Sequence, residues 1–225
     1  MKIIKSKLTI LSLFLVFLQG CSGYHVNKRT NPFVGYGIKH ITIPMFYNRS
    51  NIAGVSAPFT KEFSSVISTF PDIRVTAGNH KDADAVMIGV IDSSQYIQDT
   101  VVNTSTLFLS GDLKDSIGNR NPFYVATNSS YDLSLRVMII RRPTKQEIEL
   151  VSGDLGSFIK KNSKIVFDET YKLTGSVQRV LEPSQTSDTG GVVNFTRNLE
   201  VFKKSVRSLA VSTANSFREV VLNAF

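Results

Sequence analysis

The chain has 225 residues, 26 of them lysine or arginine and 18 aspartate or glutamate, with one cysteine and no tryptophan. A single cysteine excludes any intramolecular disulfide, so stability must come from packing alone. The net charge of +8 includes three lysines in the first seven residues; the remainder is only mildly basic, which argues against nucleic acid as a partner.

Lys2, Lys5 and Lys7 precede the apolar run 8–18, and Leu18-Gln-Gly-Cys21 follows. The run is shorter than the roughly 20 residues of a membrane span and has the flanks of a secretory signal. A small residue before the lone cysteine resembles the bacterial lipobox. That resemblance makes residues 1–20 a signal peptide and Cys21 the lipidated N-terminus of the mature chain. Ser22 replaces the aspartate that would signal inner-membrane retention, so the outer membrane is implied. Several acyl chains would anchor the protein stably, since each buried methylene adds about 0.8 kcal/mol. Residues 21–37 lack periodicity and read as a lipidated tether; 38–225 read as one domain.

The first strand is expected over 38–46, where Ile41, Ile43 and Met45 alternate, with Pro44 at an edge or a strand end. A turn follows at 48–51. Ser56 and Pro58 open a helix whose stripe is Phe59, Phe63, Val66, Ile67 and Phe70, closed by Pro71. A short strand at 73–75 and a turn at Gly78-Asn79 lead to the apolar run 85–91, which has the composition of a central strand. Segment 99–128 is rich in Asn, Ser, Thr and Gly, with a short strand at 107–109. Clean alternation of Tyr131, Leu133, Leu135, Val137 and Ile139 marks an antiparallel strand ending at Arg141-Arg142-Pro143. Residues 150–163 read as a loop or irregular hairpin, 165–177 as another strand, and 182–191 as a surface loop. The last element is a long amphipathic helix with Leu199, Phe202, Val206, Leu209, Ala210, Thr213, Phe217 and Val220 on one face. Lys203, Lys204, Arg207 and Arg218 lie elsewhere on it. The fold class is therefore α+β, a two-layer sandwich of two helices on a mixed, mainly antiparallel sheet of about four strands.

Catalytic chemistry finds little material. His25, His40 and His80 are scattered without metal-ligand spacing, and neither a nucleophile elbow nor a phosphate-cradling loop is present. No cofactor or metal is expected, and the protein reads as a non-enzyme. Asp82 and Asp84, like Asp168 and Glu169, fit turn or solvent roles. The basic clusters remain: Arg141-Arg142, Lys160-Lys161 with Lys164, and Lys203-Lys204 with Arg207. The first two flank 141–164 and are candidate phosphate contacts, because guanidinium binds phosphate bidentately and ammonium supplies a mobile charge.

Three segments resemble the LptE family, the lipoprotein partner of the lipopolysaccharide-assembly barrel LptD. Gly23-Tyr24-His25-Val26 is similar to the family's opening. Ile41-Thr-Ile-Pro44-Met-Phe46-Tyr-Asn48-Arg49 resembles its strand-into-helix motif. Ala83-Asp84-Ala85, with Gly89 inside the following strand, resembles its central strand. The resemblance is concentrated in residues 21–91. It implies a lipoprotein on the periplasmic side of the outer membrane that plugs and helps assemble an LptD-type β-barrel. It also implies contact with lipopolysaccharide, for which Arg141, Arg142, Lys160, Lys161 and Lys164 are the candidate phosphate ligands. The Pro-x-Phe-x-Asn and Ala-Asp-Ala segments are similar as well to LpoB-like activators of peptidoglycan synthases and to CsgG-type secretion lipoproteins. A secretion pore would need amphipathic strands of about ten residues, and 99–128 offers no clean run of that length.

Overall fold

Parallel pairing around one helix starts the fold. In the computed structural model, which describes residues 30–78, 82–93, 100–110, 121–152, 164–179 and 195–224, strand β1 (His40–Ile43) is followed by helix α1 (Ser56–Ser68) and strand β3 (Arg74–Ala77). β1 and β3 lie side by side in parallel, as a helical crossover requires. Strand β4 (Ala85–Asp92) joins β1 on its other edge, also in parallel, and the two-residue β2 (Tyr47–Asn48) pairs β4 further along. The rest is antiparallel. Strand β6 (Phe123–Arg141) pairs with β4, with β5 (Val101–Leu109) and with β7 (Ile165–Gln178). The α+β sandwich is as expected, but the mixed sheet has seven strands among the described residues rather than about four.

Among the described residues, two helices cover one face. α1 and the C-terminal α3 (Phe195–Ala224) pack together over a core that includes Ile41, Ile43, Met87, Leu135, Val137 and Ile139. Phe63 is its hub, with ring centroids 5.5 Å from Phe46 and 5.0 Å from Phe217. A third helix, α2 (Lys145–Ser152), was not expected. It lies on the opposite face, where Ile148 packs against a smaller cluster of Val86, Ile88, Val90, Met138 and Ile140. Both faces of β4 are thus buried, which explains its continuous apolar run. No helix among the described residues is long and apolar enough to cross a membrane.

Several local expectations need correction. Met45 is exposed and Phe46 is buried in its place, because Pro44 ends β1 and breaks the alternation. On α3, Leu199 and Val220 are exposed while Ala214 and Val221 are buried. A 30-residue helix accumulates enough drift for a stripe counted from one end to slip by a residue. Asn31 and Phe33, within the stretch read as tether, are buried. The Asn31 amide donates to the Ile38 carbonyl (2.7 Å), and the Phe33 ring meets Phe70 edge-on at 6.5 Å. The compact unit that holds the sheet begins at Asn31.

Glycine is required at two sites in the sheet. A Cβ on Gly89 would meet the Phe46 ring, and one on Gly175 would meet the Tyr131 ring. Tyr131 in turn shares a hydrogen bond with Ser205 of α3 (3.0 Å), whose hydroxyl donates to the Ser176 carbonyl (2.8 Å). These contacts seat α3 on β6 and β7.

Candidate functional site: the charged end of the sheet

The register of β4 against β6 does what spacing in the sequence could not reveal. Ala85 lies opposite Arg141, so the Ala83-Asp84-Ala85 segment and the Arg141-Arg142 pair meet at one end of the sheet. The Arg142 N–H donates to the Asp84 carbonyl (3.0 Å), with Arg142 in the left-handed region at φ 39°. The Asp84 N–H donates to the His40 carbonyl (2.9 Å). Its carboxylate accepts the backbone N–H groups of Lys39 and His40, each at 3.0 Å. The Lys39 N–H, helped by that of His40 and by the Arg142 charge, holds the Asp84 carboxyl below its ordinary range, against the opposing effect of burial. Asp84 therefore fixes the start of β1 beside β4. The Arg142 guanidinium lies 3.8 Å from the same carboxylate but is 78% exposed, so this ion pair adds at most about 1 kcal/mol.

Beside this junction, α2 and the start of β4 line an open cleft of about 900 Å³. Asp82, Asp84 and Glu149 line it together with Arg142, Lys145 and Tyr47, over a floor that includes Val86 and Ile148. Three carboxylates face two cations, so the cleft matches a ligand carrying both signs of charge better than a bare phosphate. Arg141, whose register partner is Ala85, belongs to the helix-covered face of the sheet and is exposed at its margin. It makes no ion pair with a described residue.

The remaining predicted contacts divide. Lys164 is engaged: its ammonium holds both Glu147 oxygens, at 2.9 and 3.0 Å. Lys160 and Lys161 lie outside the described residues, as do Cys21, Gly23, Tyr24, His25 and His80. Lys203 pairs with Glu200 on the exposed face of α3 (2.7 Å). Lys145 was missed by sequence reasoning, together with the helix that carries it. The available signal was Thr144-Lys-Gln-Glu147, a capping box: the Thr144 N–H donates to the Glu147 carboxylate (2.7 Å) and the Glu147 N–H to the Thr144 hydroxyl (3.2 Å).

The motif residues within the described part have architectural work. Phe46 packs over Gly89 and donates its N–H to the Thr60 hydroxyl (2.9 Å). Asn48 closes the turn to Ile52, accepting the Ser50 N–H (3.0 Å) and donating to the Ile52 carbonyl (2.8 Å). Arg49 donates its N–H to Ile91 (2.8 Å) and pairs with Asp92 (3.3 Å), joining this turn to β4. Asp168, expected to be solvated, instead accepts two hydrogen bonds from Arg136, at 2.8 and 2.7 Å. His40 bonds the Thr76 hydroxyl across the β1–β3 pair (2.9 Å). No group of three His, Cys, Asp or Glu among the described residues has the geometry of a metal site.

No family model matches the sequence, and no curated protein matches it. Among solved structures, the chain is similar to a Caulobacter crescentus protein provisionally described as a lipoprotein, with 7% identity, TM-score 0.38, and coverage of 79% of this chain and 88% of that one. A PelC dodecamer subunit from Paraburkholderia phytofirmans matches with 9% identity, TM-score 0.34, and coverage of 77% and 84%. A Neisseria meningitidis lipoprotein matches with 10% identity, TM-score 0.31, and coverage of 76% and 97%. At such scores these superpositions carry no assignment of family or activity.

Proposed function

We propose that this chain is a non-enzymatic lipoprotein, anchored through Cys21 to the outer membrane on its periplasmic side. It plugs and helps assemble an LptD-type β-barrel and contacts lipopolysaccharide. The observation that supports the lipopolysaccharide contact is that Arg142 and Lys145 line one cleft at the end of the sheet, with Arg141 exposed at the neighbouring strand position on the other face. These cations can donate charge-assisted hydrogen bonds to a phosphate, and the carboxylates beside them suit a cationic group on the same ligand. Asp82, Asp84 and Glu149 balance the charge of these three cations, so binding is expected to be modest and salt-sensitive. The test is binding of lipopolysaccharide micelles by the full-length chain and by an Arg141→Gln/Arg142→Gln/Lys145→Gln variant. The variant should bind several-fold more weakly, with a flatter salt dependence; equal affinity would remove the contact from the proposal.

A second reading, a secretion component of the CsgG type, gains one observation. β5 and the 123–131 part of β6 form a pair of nine-residue strands, near the length a barrel strand needs. On their outward face Val102, Phe108 and Tyr124 are interrupted by Thr104, Thr106 and Asn128, so no continuous lipid-facing stripe results. The plug reading is therefore preferred. Detergent-resistant homo-oligomers forming ion-conducting channels in planar bilayers would reverse that preference.

A further inference from the structure

Strand β5 pairs with β6 along one edge only, and no described strand lies along its other edge. Its sequence, Val-Val-Asn-Thr-Ser-Thr-Leu-Phe-Leu, contains no charge, proline or glycine, the residues that usually blunt a free edge. Val101, Val102, Leu107 and Phe108 are between 37 and 50% exposed. Among the described strands, the other edges without a pairing strand differ. β7 carries Asp168, Glu169 and Lys172, and β3 is four residues long and carries Arg74. β5 is thus a template of unpaired backbone groups with apolar side chains at both ends.

The polarity of β5 reads nearly the same in both directions about Ser105. In an antiparallel pairing centred there, Val101 meets Leu109 of a second copy, Val102 meets Phe108, Thr104 meets Thr106, and Ser105 meets its own counterpart. Only Asn103 opposite Leu107 joins unlike partners. A two-fold interface demands this self-complementarity. The register irregularity against β6 falls between Asn103 and Thr106, so it bends the strand at the axis and leaves the flanking runs 101–103 and 106–109 to carry most of the pairing, which weakens the association.

We propose that two copies of this chain associate through β5, antiparallel about Ser105, extending the sheet across a two-fold axis. The inference does not depend on either reading of the function. One strand pair is small beside the roughly 1,200 Å² or more of a stable interface, so the dimer is weak and concentration-dependent.

Cross-linking tests it on the full-length chain in mild detergent. A Cys21→Ser/Ser105→Cys variant leaves the introduced thiol alone in the molecule. Directly opposed residues have Cβ atoms about 4.5–5.5 Å apart, near disulfide reach. Mild oxidation should yield a disulfide dimer whose fraction rises with protein concentration. The matching Val102→Cys variant, opposed to Phe108 and not to itself, should yield at least about five-fold less, and so should the position-105 variant carrying Thr104→Lys and Thr106→Lys, which places like charges face to face. Circular dichroism and sedimentation of the unmodified chain guard against a folding artefact. Equal dimer at 102 and 105, cross-linking only between position 105 and a thiol placed at Lys172, or a strictly monomeric unmodified chain at millimolar concentration would each overturn the proposal.

Discussion

β6 is one strand with two surroundings. Residues 134–141 lie between β4 and β7, with α1 and α3 above and α2 below, and Leu135, Val137, Met138 and Ile139 are completely buried. Residues 123–131 pair with β5, which is exposed along nearly its whole length, and only Val125, Ser129 and Tyr131 are buried. The comparison separates two sources of order. The inner half is fixed by side-chain packing on both faces; the outer half keeps its strand conformation through backbone pairing. Changes that disturb packing should therefore cost far more in the inner region than in the outer one.

The largest effect is expected at the hub. Phe63→Ala should lower stability by about 3–5 kcal/mol in urea titration, since the Phe46, Phe217 and Tyr171 rings all lean on it. A loss under 1 kcal/mol would show that the helix-covered face is not the stabilising core. Gly89→Ala should cost about 1–3 kcal/mol, because a methyl group there must displace the Phe46 ring. Pairing it with Phe46→Leu should recover part of the loss, and simple additivity would deny the contact.

Asp84 gives a pH-dependent comparison. Its carboxyl is held below the ordinary range in the folded protein, so its contribution is complete above the unfolded value of about 3.9 and is lost as pH falls through the lower folded value. Asp84→Asn should reduce stability by about 1–2 kcal/mol at neutral pH and show a shallower acid loss than wild type. Parallel stability curves from pH 6 to 2 would contradict the backbone hydrogen bonds assigned to it. The smallest effect belongs to the outer region: Phe108→Ser, at a 50%-exposed position, should change monomer stability by no more than about 0.5 kcal/mol.

The same division governs what the sequence made legible. The run 85–91 and the alternation 131–139 were readable because packing imposes them on side chains. The outer half of β6 was not, because Ala126-Thr-Asn-Ser-Ser130 is held by the ladder, and a ladder leaves no hydrophobic period. β2 was hidden by its brevity, and α2 by attention to apolar pattern where the signal was a capping box. At the charged end of the sheet, Arg141 and Arg142 were visible as cations, but their meeting with Asp84 is a product of register between strands some fifty residues apart. The tie between Lys164 and Glu147 is likewise a tertiary contact. Phe46, Asn48, Arg49, Asp84 and Gly89 meet fixed demands of this backbone, which their residue types alone did not reveal.

The most direct test of the functional account is a pull-down from gently solubilised outer membranes, using the tagged full-length chain with Cys21 intact and mass spectrometry of what copurifies. The account expects a stoichiometric, detergent-resistant β-barrel of LptD type. Recovery of a peptidoglycan synthase, or of copies of this chain alone, would contradict it.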